Sequence, residues 1–215
     1  GCTVMKNAAI GDGLTNIKEY TFANCGLEEI LIGDNIISIG NYAFKGCRGM
    51  KSAVLGNGLT KVNGTMFNGC IGLENVEIGN KVTELEANAF SGCSSLPTIT
   101  IPQAVTKVGD YVFAGCSKLA DVIIDDRTEP LALGSNGSSP LFVDCPLDSV
   151  YIGGKITYST TSSYGYSPFY RNTSLRTVVI TDREEQIYEN EFYGCTNLKN
   201  VTIGNGVKSI GNYAF

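Results

Sequence analysis

The sequence predicts an α/β repeat solenoid of nine coils, with a parallel sheet on one face and short helical or 3₁₀ turns on the other. All nine phenylalanines occupy one slot of a unit whose basic length is 23 residues. A period of roughly 20 to 50 residues indicates a stacked array, in which no unit buries its apolar face without its neighbours. The phenylalanine slots are Phe22, Phe44, Phe67, Phe90, Phe113, Phe142, Phe169, Phe192 and Phe215.

The cysteines follow the same period. All eight fall in a second slot: seven lie three residues after a phenylalanine, and Cys2 fills the same slot in the first unit, before Phe22. Asn172 alone replaces cysteine there. The unit is complete between Phe67 and Ala89 and begins again at Phe90. The cysteine slots are filled by Cys2, Cys25, Cys47, Cys70, Cys93, Cys116, Cys145 and Cys195.

Each unit contains a short strand core, in which two apolar residues flank one outward residue. The series runs from Ala8-x-Ile10 through Val122-x-Ile124 to Val201-x-Ile203. A period of two places alternate side chains on one face, and one strand per coil stacks into a parallel sheet. A glycine or proline usually follows at once, where the chain turns off the sheet.

After that turn, apolar pairs such as Val82 and Leu85 return to the core. In the next segment Ile39, Ala43, Cys47 and Met50 are spaced by four, four and three residues. This spacing predicts one or two turns of α- or 3₁₀-helix opposite the sheet.

Composition and charge exclude several classes of function. A net charge of −5 provides no basic surface for nucleic acid or anionic lipid. The chain has no histidine, the usual general base and commonest metal ligand. No apolar run reaches the ~18 residues of a membrane span. We therefore expect no catalytic residues, no cofactor and no membrane span in this segment.

These residues also predict the domain organisation. We expect residues 1–215 to form one solenoid domain, and to be a fragment of a longer chain because no polar capping unit is visible at either end. Two units are longer than the rest, and their inserts lie at about 125–139 and 153–166.

The repeat C-x-x-L-x-x-V-x-I-G/P-x-x-V-T-x-I-G-x-x-A-F-x-G resembles the BspA-like, treponemal-type leucine-rich repeat family of bacterial surface proteins. The resemblance covers essentially the whole chain, and departs from the pattern in the two long units. It implies a leucine-rich repeat fold and a non-enzymatic, exported protein linked to adhesion to host proteins or other cells. It assigns no site residues.

The eight cysteines are expected to be free thiols. Cys2 to Cys145 form a run of seven, and the Asn172 coil separates Cys195 from that run by roughly 10 Å, which exceeds the ~7 Å reach of a disulfide. We interpret them as small core residues. The acidic group Asp125, Asp126 and Glu129 lacks the spacing of a calcium loop, and we interpret it as solvated and not as a metal site.

The outward position between the two apolar strand residues is a candidate binding surface. Six of its nine occupants are apolar or aromatic, and contiguous apolar surface often marks an interaction site. The alternative is that β-branched and aromatic residues simply suit a half-exposed strand. The candidate ligand-binding residues on this face are Leu31, Val54, Ile123, Tyr151 and Val179.

The two inserts are a second candidate, because insertions in successive coils project from the same side of a solenoid and meet. Tyrosine offers a large contact area with few rotatable bonds, which favours recognition. The alternative is that the tyrosines cover core that the inserts leave exposed. The candidate contact residues are Tyr151, Tyr158, Tyr164 and Tyr166, with Asp125, Asp126 and Arg127 at the rim.

The sequence thus predicts a recognition or adhesion module for a protein or glycan partner, outside the cell or on its surface. A passive spacer in a larger surface protein is the alternative. An enzyme would require unusual lysine or carboxylate chemistry in the absence of histidine.

Overall fold

The computed structural model describes residues 1–134, 141–158 and 167–215. Within these ranges the chain forms seventeen short strands. In chain order they are β1 (Asn16–Ile17), β2 (Glu29–Ile32), β3 (Ser38–Ile39), β4 (Ser52–Leu55), β5 (Lys61–Val62), β6 (Asn75–Glu77), β7 (Glu84–Leu85), β8 (Thr98–Ile101), β9 (Lys107–Val108), β10 (Asp121–Ile124), β11 (Leu131–Leu133), β12 (Ser149–Ile152), β13 (Ile156–Thr157), β14 (Thr177–Ile180), β15 (Gln186–Ile187), β16 (Asn200–Ile203) and β17 (Ser209–Ile210).

The predicted parallel sheet is confirmed. It is built from the longer of the two strands in each coil. This main sheet has two hydrogen-bonded parts, β2-β4-β6 and β8-β10-β12-β14-β16. Buried and solvent-facing side chains alternate along strands such as β8 and β10, as the period of two predicts. The first expected strand, Ala8-x-Ile10, is not a strand. It lies in the outermost coil, which has a neighbour on one side only.

A second parallel sheet, which the sequence did not reveal, is formed by the two- and three-residue strands that follow. Its order is β1-β3, then β5-β7-β9-β11-β13, then β15-β17. The apolar residues expected to return to the core are its inward positions; Leu85, for example, is paired with Val62 and Val108. The core therefore lies between two sheets and the turns that carry the phenylalanines.

The prediction of helical turns is wrong for the part of the chain that the structure describes, where no helix is present. The cause is a left-handed residue on each side of the phenylalanine in most coils. Around Phe44 these are Tyr42, with φ of 60°, and Gly46, with φ of 69°. Between them, Phe44 N–H and Gly46 N–H donate to carbonyls of the next coil, at 3.1 and 2.9 Å. These backbone groups bond between coils and not along a helix.

The phenylalanine column is confirmed as the central packing element. The nine rings form one continuous stack from Phe22 to Phe215, with neighbouring centroids 5.3 to 5.9 Å apart. Offset stacking of this kind adds a specific attraction to the burial of each ring. The stack fixes the separation of successive coils.

The cysteine column forms a hydrogen-bonded ladder beside the phenylalanine stack. All eight thiols are free, as expected, and all but the exposed Cys2 are buried. Cys70 Sγ donates to the carbonyl of Phe44 at 3.1 Å, and the same contact recurs in most later coils. Asn172 also keeps a donor in this slot, since its Nδ2 donates to the Cys145 carbonyl at 2.8 Å. The buried cysteines thus supply a donor as well as volume.

Candidate functional site

The candidate surface on the main sheet consists of the outward side chains of three adjacent strands. Ile123 of β10 is paired with Tyr151 of β12, which is paired in turn with Val179 of β14. The residues before and after them in each strand are inward and mostly buried, so these three side chains must point to solvent. The structure therefore brings three of the five candidate residues of this face into one contiguous row. We call Ile123, Tyr151 and Val179 the apolar row.

Polar side chains border the apolar row on both sides. On one side, Ser149 donates to Asp121 at 2.6 Å between neighbouring strands. On the other, the Tyr151 hydroxyl donates to Asp126 Oδ1 at 2.8 Å, and this hydrogen bond raises the pKa of Tyr151 above its ordinary value. The bond holds the tyrosine ring at a defined angle. An apolar centre with a polar rim is the usual anatomy of a recognition surface.

The other two candidates of this face, Leu31 and Val54, form a separate pair. They are partners across β2 and β4, in the three-stranded part of the main sheet. Leu31 is 68% exposed. Glu77 follows Val54 in the same row, and Thr100 precedes Ile123. These polar positions separate the pair from the apolar row by about 14 Å, or three strand spacings.

The outward face of the second sheet is polar. Among the nine described strands of that sheet, Ala132 is the one apolar outward residue. A run of ion pairs crosses it, since Glu84 contacts Lys61 at 2.8 Å and Lys107 at 2.7 Å. The outward residues are Asn16, Ser38, Lys61, Glu84, Lys107, Ala132, Thr157, Gln186 and Ser209.

Arg127 does not lie at a solvent-facing rim, and its placement there is a correction to the sequence analysis. The side chain is 1% exposed. Its guanidinium donates to the carbonyls of Val105 at 2.5 Å, Pro102 at 3.0 Å and Ile101 at 3.2 Å. It therefore satisfies backbone acceptors of the preceding coil, and it is withdrawn as a ligand-contacting residue. Asp126 is exposed and Asp125 half-buried.

The beginnings of the two inserts lie side by side, and part of each continues the second sheet. Leu131 is paired with Ile156, and Leu131 N–H donates to the Lys155 carbonyl at 2.9 Å. Residues 135–140 and 159–166 lie outside the described residues, so Tyr164 and Tyr166 remain predictions. Tyr158 is half-buried against the core, with its ring edge-on to Tyr188 at 5.3 Å. Burial raises the pKa of Tyr158, and its contacts are those of a packing residue.

Two buried carboxylates were missed by the sequence analysis. Glu184 and Glu191 are each 2% exposed and lie in the same coil. A slot-by-slot comparison of the units would have revealed them. Glu191 directly precedes a phenylalanine, where Ala43 and Val112 stand, and Glu184 occupies the position of Val105.

Residues 1–134, 141–158 and 167–215 contain no group of three or more cysteine, aspartate or glutamate side chains arranged to hold a metal ion. They also contain no helix with the length and hydropathy of a membrane span.

The sequence matches the family described as BspA type leucine-rich repeat region, in six copies, over residues 15–136 and 162–215. No curated protein matches it. A leucine-rich repeat protein from Bacteroides ovatus ATCC 8483 is 25% identical with a TM-score of 0.60, over 98% of this chain and 64% of that chain.

Two other solved structures are similar to this chain. A leucine-rich repeat protein from Eubacterium ventriosum ATCC 27560 is 17% identical with a TM-score of 0.57, over 94% of this chain and 61% of that one. The leucine-rich repeat protein of T. pallidum is 18% identical with a TM-score of 0.48, over 92% and 67%. The present chain spans less than two thirds of the Bacteroides and Eubacterium proteins.

The stacked parallel strands, the 23-residue period and the phenylalanine column define a leucine-rich repeat solenoid. The family match covers most of the sequence. The chain belongs to the BspA-type leucine-rich repeat family.

Proposed function

We propose that the chain is a non-enzymatic recognition module, and that the apolar row of Ile123, Tyr151 and Val179 binds a protein or glycan partner at the cell surface. Leucine-rich repeat solenoids are typically scaffolds that present extended surfaces to partners. Membership of the BspA-type family supports a place outside the cell. Leu31 and Val54 are a secondary contact pair in this proposal.

The observation that carries the proposal is the contrast between the two outward sheet faces. If β-propensity alone selected apolar residues for half-exposed strands, both sheets would show them. The second sheet instead has eight polar residues among its nine outward positions. The main sheet has apolar or aromatic residues at five of its eight described outward positions. The apolar character is therefore specific to one face.

The geometry of Tyr151 supports the same surface. Its ring lies between two β-branched neighbours, and its hydroxyl is held by Asp126 at 2.8 Å. A tyrosine that is already fixed loses little conformational entropy on binding, and tyrosines of this kind often dominate interfaces. The Asp126 carboxylate gives the row an acidic edge, which favours partners with hydroxyl or cationic groups at that side.

The test is a binding screen of the purified chain on glycan and extracellular-matrix protein arrays, followed by affinity measurements with three variants. The row variant combines Ile123→Thr, Tyr151→Thr and Val179→Thr. Threonine already occupies this row at Thr100 and Thr202, so the sheet accommodates it. We expect the row variant to bind a hit at least about tenfold more weakly, as is usual for loss of a central aromatic contact.

The matched control is Ile37→Thr. Ile37 is an exposed apolar residue outside the main sheet, in a slot that Thr60 and Thr83 fill in the next coils. It should bind as the unmodified chain does. The third variant, Leu31→Thr with Val54→Thr, measures the secondary pair. Equal affinity of the row variant and the Ile37 control would refute the proposed surface. A chain that binds nothing on either array would favour the spacer function.

A further inference from the structure

A cluster of titratable side chains lies between the coil of residues 145–171 and the coil of residues 172–194. We call the contact between these two coils the acidic seam. Glu184 and Glu191 are both buried here, each in a slot that other coils fill with an apolar residue. The partly buried rings of Tyr158 and Tyr188 pack against each other across the seam. Burying two carboxylates in a core is costly unless each is neutral or well supplied with donors.

At this seam the Glu184 side chain accepts a backbone hydrogen bond that a neighbouring strand would otherwise accept. The second sheet stops at β13 and resumes at β15, and the two strands are not hydrogen-bonded. The Ile156 N–H of β13 donates instead to Glu184 Oε2, at 2.9 Å. Glu184 Oε1 accepts from the N–H groups of Glu185 and Gln186, at 2.9 and 3.3 Å. Three N–H donors support a negative charge on Glu184, although burial raises its pKa.

Glu191 has fewer donors. Its Oε2 accepts from Tyr188 N–H at 2.6 Å. The Tyr158 hydroxyl is buried at the same seam and has no hydrogen-bond partner among the described residues. Burial, reinforced by the charge of Glu184, raises the pKa of Glu191 to about 8. The charge of Lys155 acts against this increase at Glu184, since it lowers the pKa of that residue. Of the two carboxyl groups, we therefore expect Glu191 to be the one that carries a proton at neutral pH.

We propose that the acidic seam is a proton-dependent contact, which Glu191 keeps closed while it is protonated and weakens when it ionises beside Glu184. Ser167 also bonds across the seam to the backbone carbonyl of Glu191, so the residue that follows the second insert is held by the same contact. Opening the seam would release Tyr158 and Ser167, which stand on either side of residues 159–166. A change of pH would thus act on the attachment points of the second insert.

The sign of the effect follows from the two protonation states. In an opened seam a solvated glutamate titrates near ~4.3. In the closed seam Glu191 keeps its proton up to about pH 8. Between these values the closed form binds more protons, so opening becomes more favourable as pH rises, by at most about tenfold per pH unit. Above pH 8 the opening equilibrium should no longer change with pH.

The test is native-state hydrogen exchange of the full chain between pH 5.5 and 8.5. Each observed rate is divided by the intrinsic exchange rate of an unprotected amide at the same pH. The reporters are the Ile156 and Tyr188 amides, which donate to the two carboxylates. We expect their opening constants to rise severalfold to about tenfold per pH unit, and to flatten above pH 8. Glu191→Gln should abolish that rise. The control Glu189→Gln, at an exposed position of the same coil, should keep it.

A flat pH profile in the unmodified chain, or the same slope in Glu191→Gln, would overturn the proposal. If the glutamine variant does not fold, a ¹³C titration of the Glu191 carboxyl in the unmodified chain decides the question. A midpoint above about pH 7 supports the proposal, and a midpoint near the ordinary ~4.3 refutes it.

Discussion

Truncation of one ring in the phenylalanine stack tests the packing of the solenoid. Phe90 is fully buried, and its ring lies 5.4 Å from that of Phe67 and 5.9 Å from that of Phe113. A buried phenylalanine removes about 200 Å² from water, worth about 5 kcal/mol at ~25 cal/mol per Å² as an upper value. Replacement by alanine leaves a cavity, and such changes typically cost about 3 to 5 kcal/mol. We expect Phe90→Ala to fall in this range.

The matched control is Phe215→Ala at the end of the stack. Phe215 is 48% exposed and has one stacked neighbour, Phe192. Water can fill the space it leaves, so its loss should cost at most about 2.5 kcal/mol, or half the burial term. Urea denaturation followed by circular dichroism gives both values. A cost for Phe90→Ala no larger than that for Phe215→Ala would refute the stack as the main stabilising element.

Two further predictions concern the cysteine ladder and the left-handed turns. Burial shields seven of the eight thiols from a reagent, and it raises the pKa of Cys47 to about 11 and that of Cys93 to about 12. At pH 8 a thiol reagent should therefore modify Cys2 quickly and the other seven thiols slowly. In denaturant all eight should react at once, and a lower total would indicate disulfides. Gly69 has φ of 72° and open space around its Cα, so Gly69→Ala should cost about 1 kcal/mol, or a fall of about 2 to 4 °C in Tm, through backbone strain alone. Gly13→Ala, also in open space but without positive φ, should leave Tm nearly unchanged, and equal effects of the two would contradict this account.

Much of the fold was predictable because it repeats. Nine phenylalanines in one slot determine the period, and the Val-x-Ile cores determine which side chains face inward. The left-handed turns were not predictable from spacing, since the slot two residues before phenylalanine holds Tyr42, Thr65 and Asn88 in turn, and all three have positive φ. Residues so different in type share a backbone conformation that the contacts between coils impose. The apolar spacing of four, four and three residues therefore matched that of a helix, although no helix forms there.

The candidate site was predictable where the repeat is regular and not where it is interrupted. The outward placement of Ile123, Tyr151 and Val179 follows from their slots. Arg127 lies in an insert, where slot numbering no longer applies, and a charged residue there was assigned to the surface by default. Its burial depends on carbonyls of the preceding coil, which a sequence pattern does not display.

The most direct test of the proposed recognition surface is hydroxyl-radical footprinting of the chain with and without a partner found on the arrays. The account predicts that oxidation of Ile123 and Tyr151 falls when the partner binds. Tyr111, which is 37% exposed on the turn side, serves as an internal reference and should be oxidised equally in both states. Protection of Tyr111 with no change at Ile123 and Tyr151 would contradict the account, because it would place the partner on the turns and not on the main sheet.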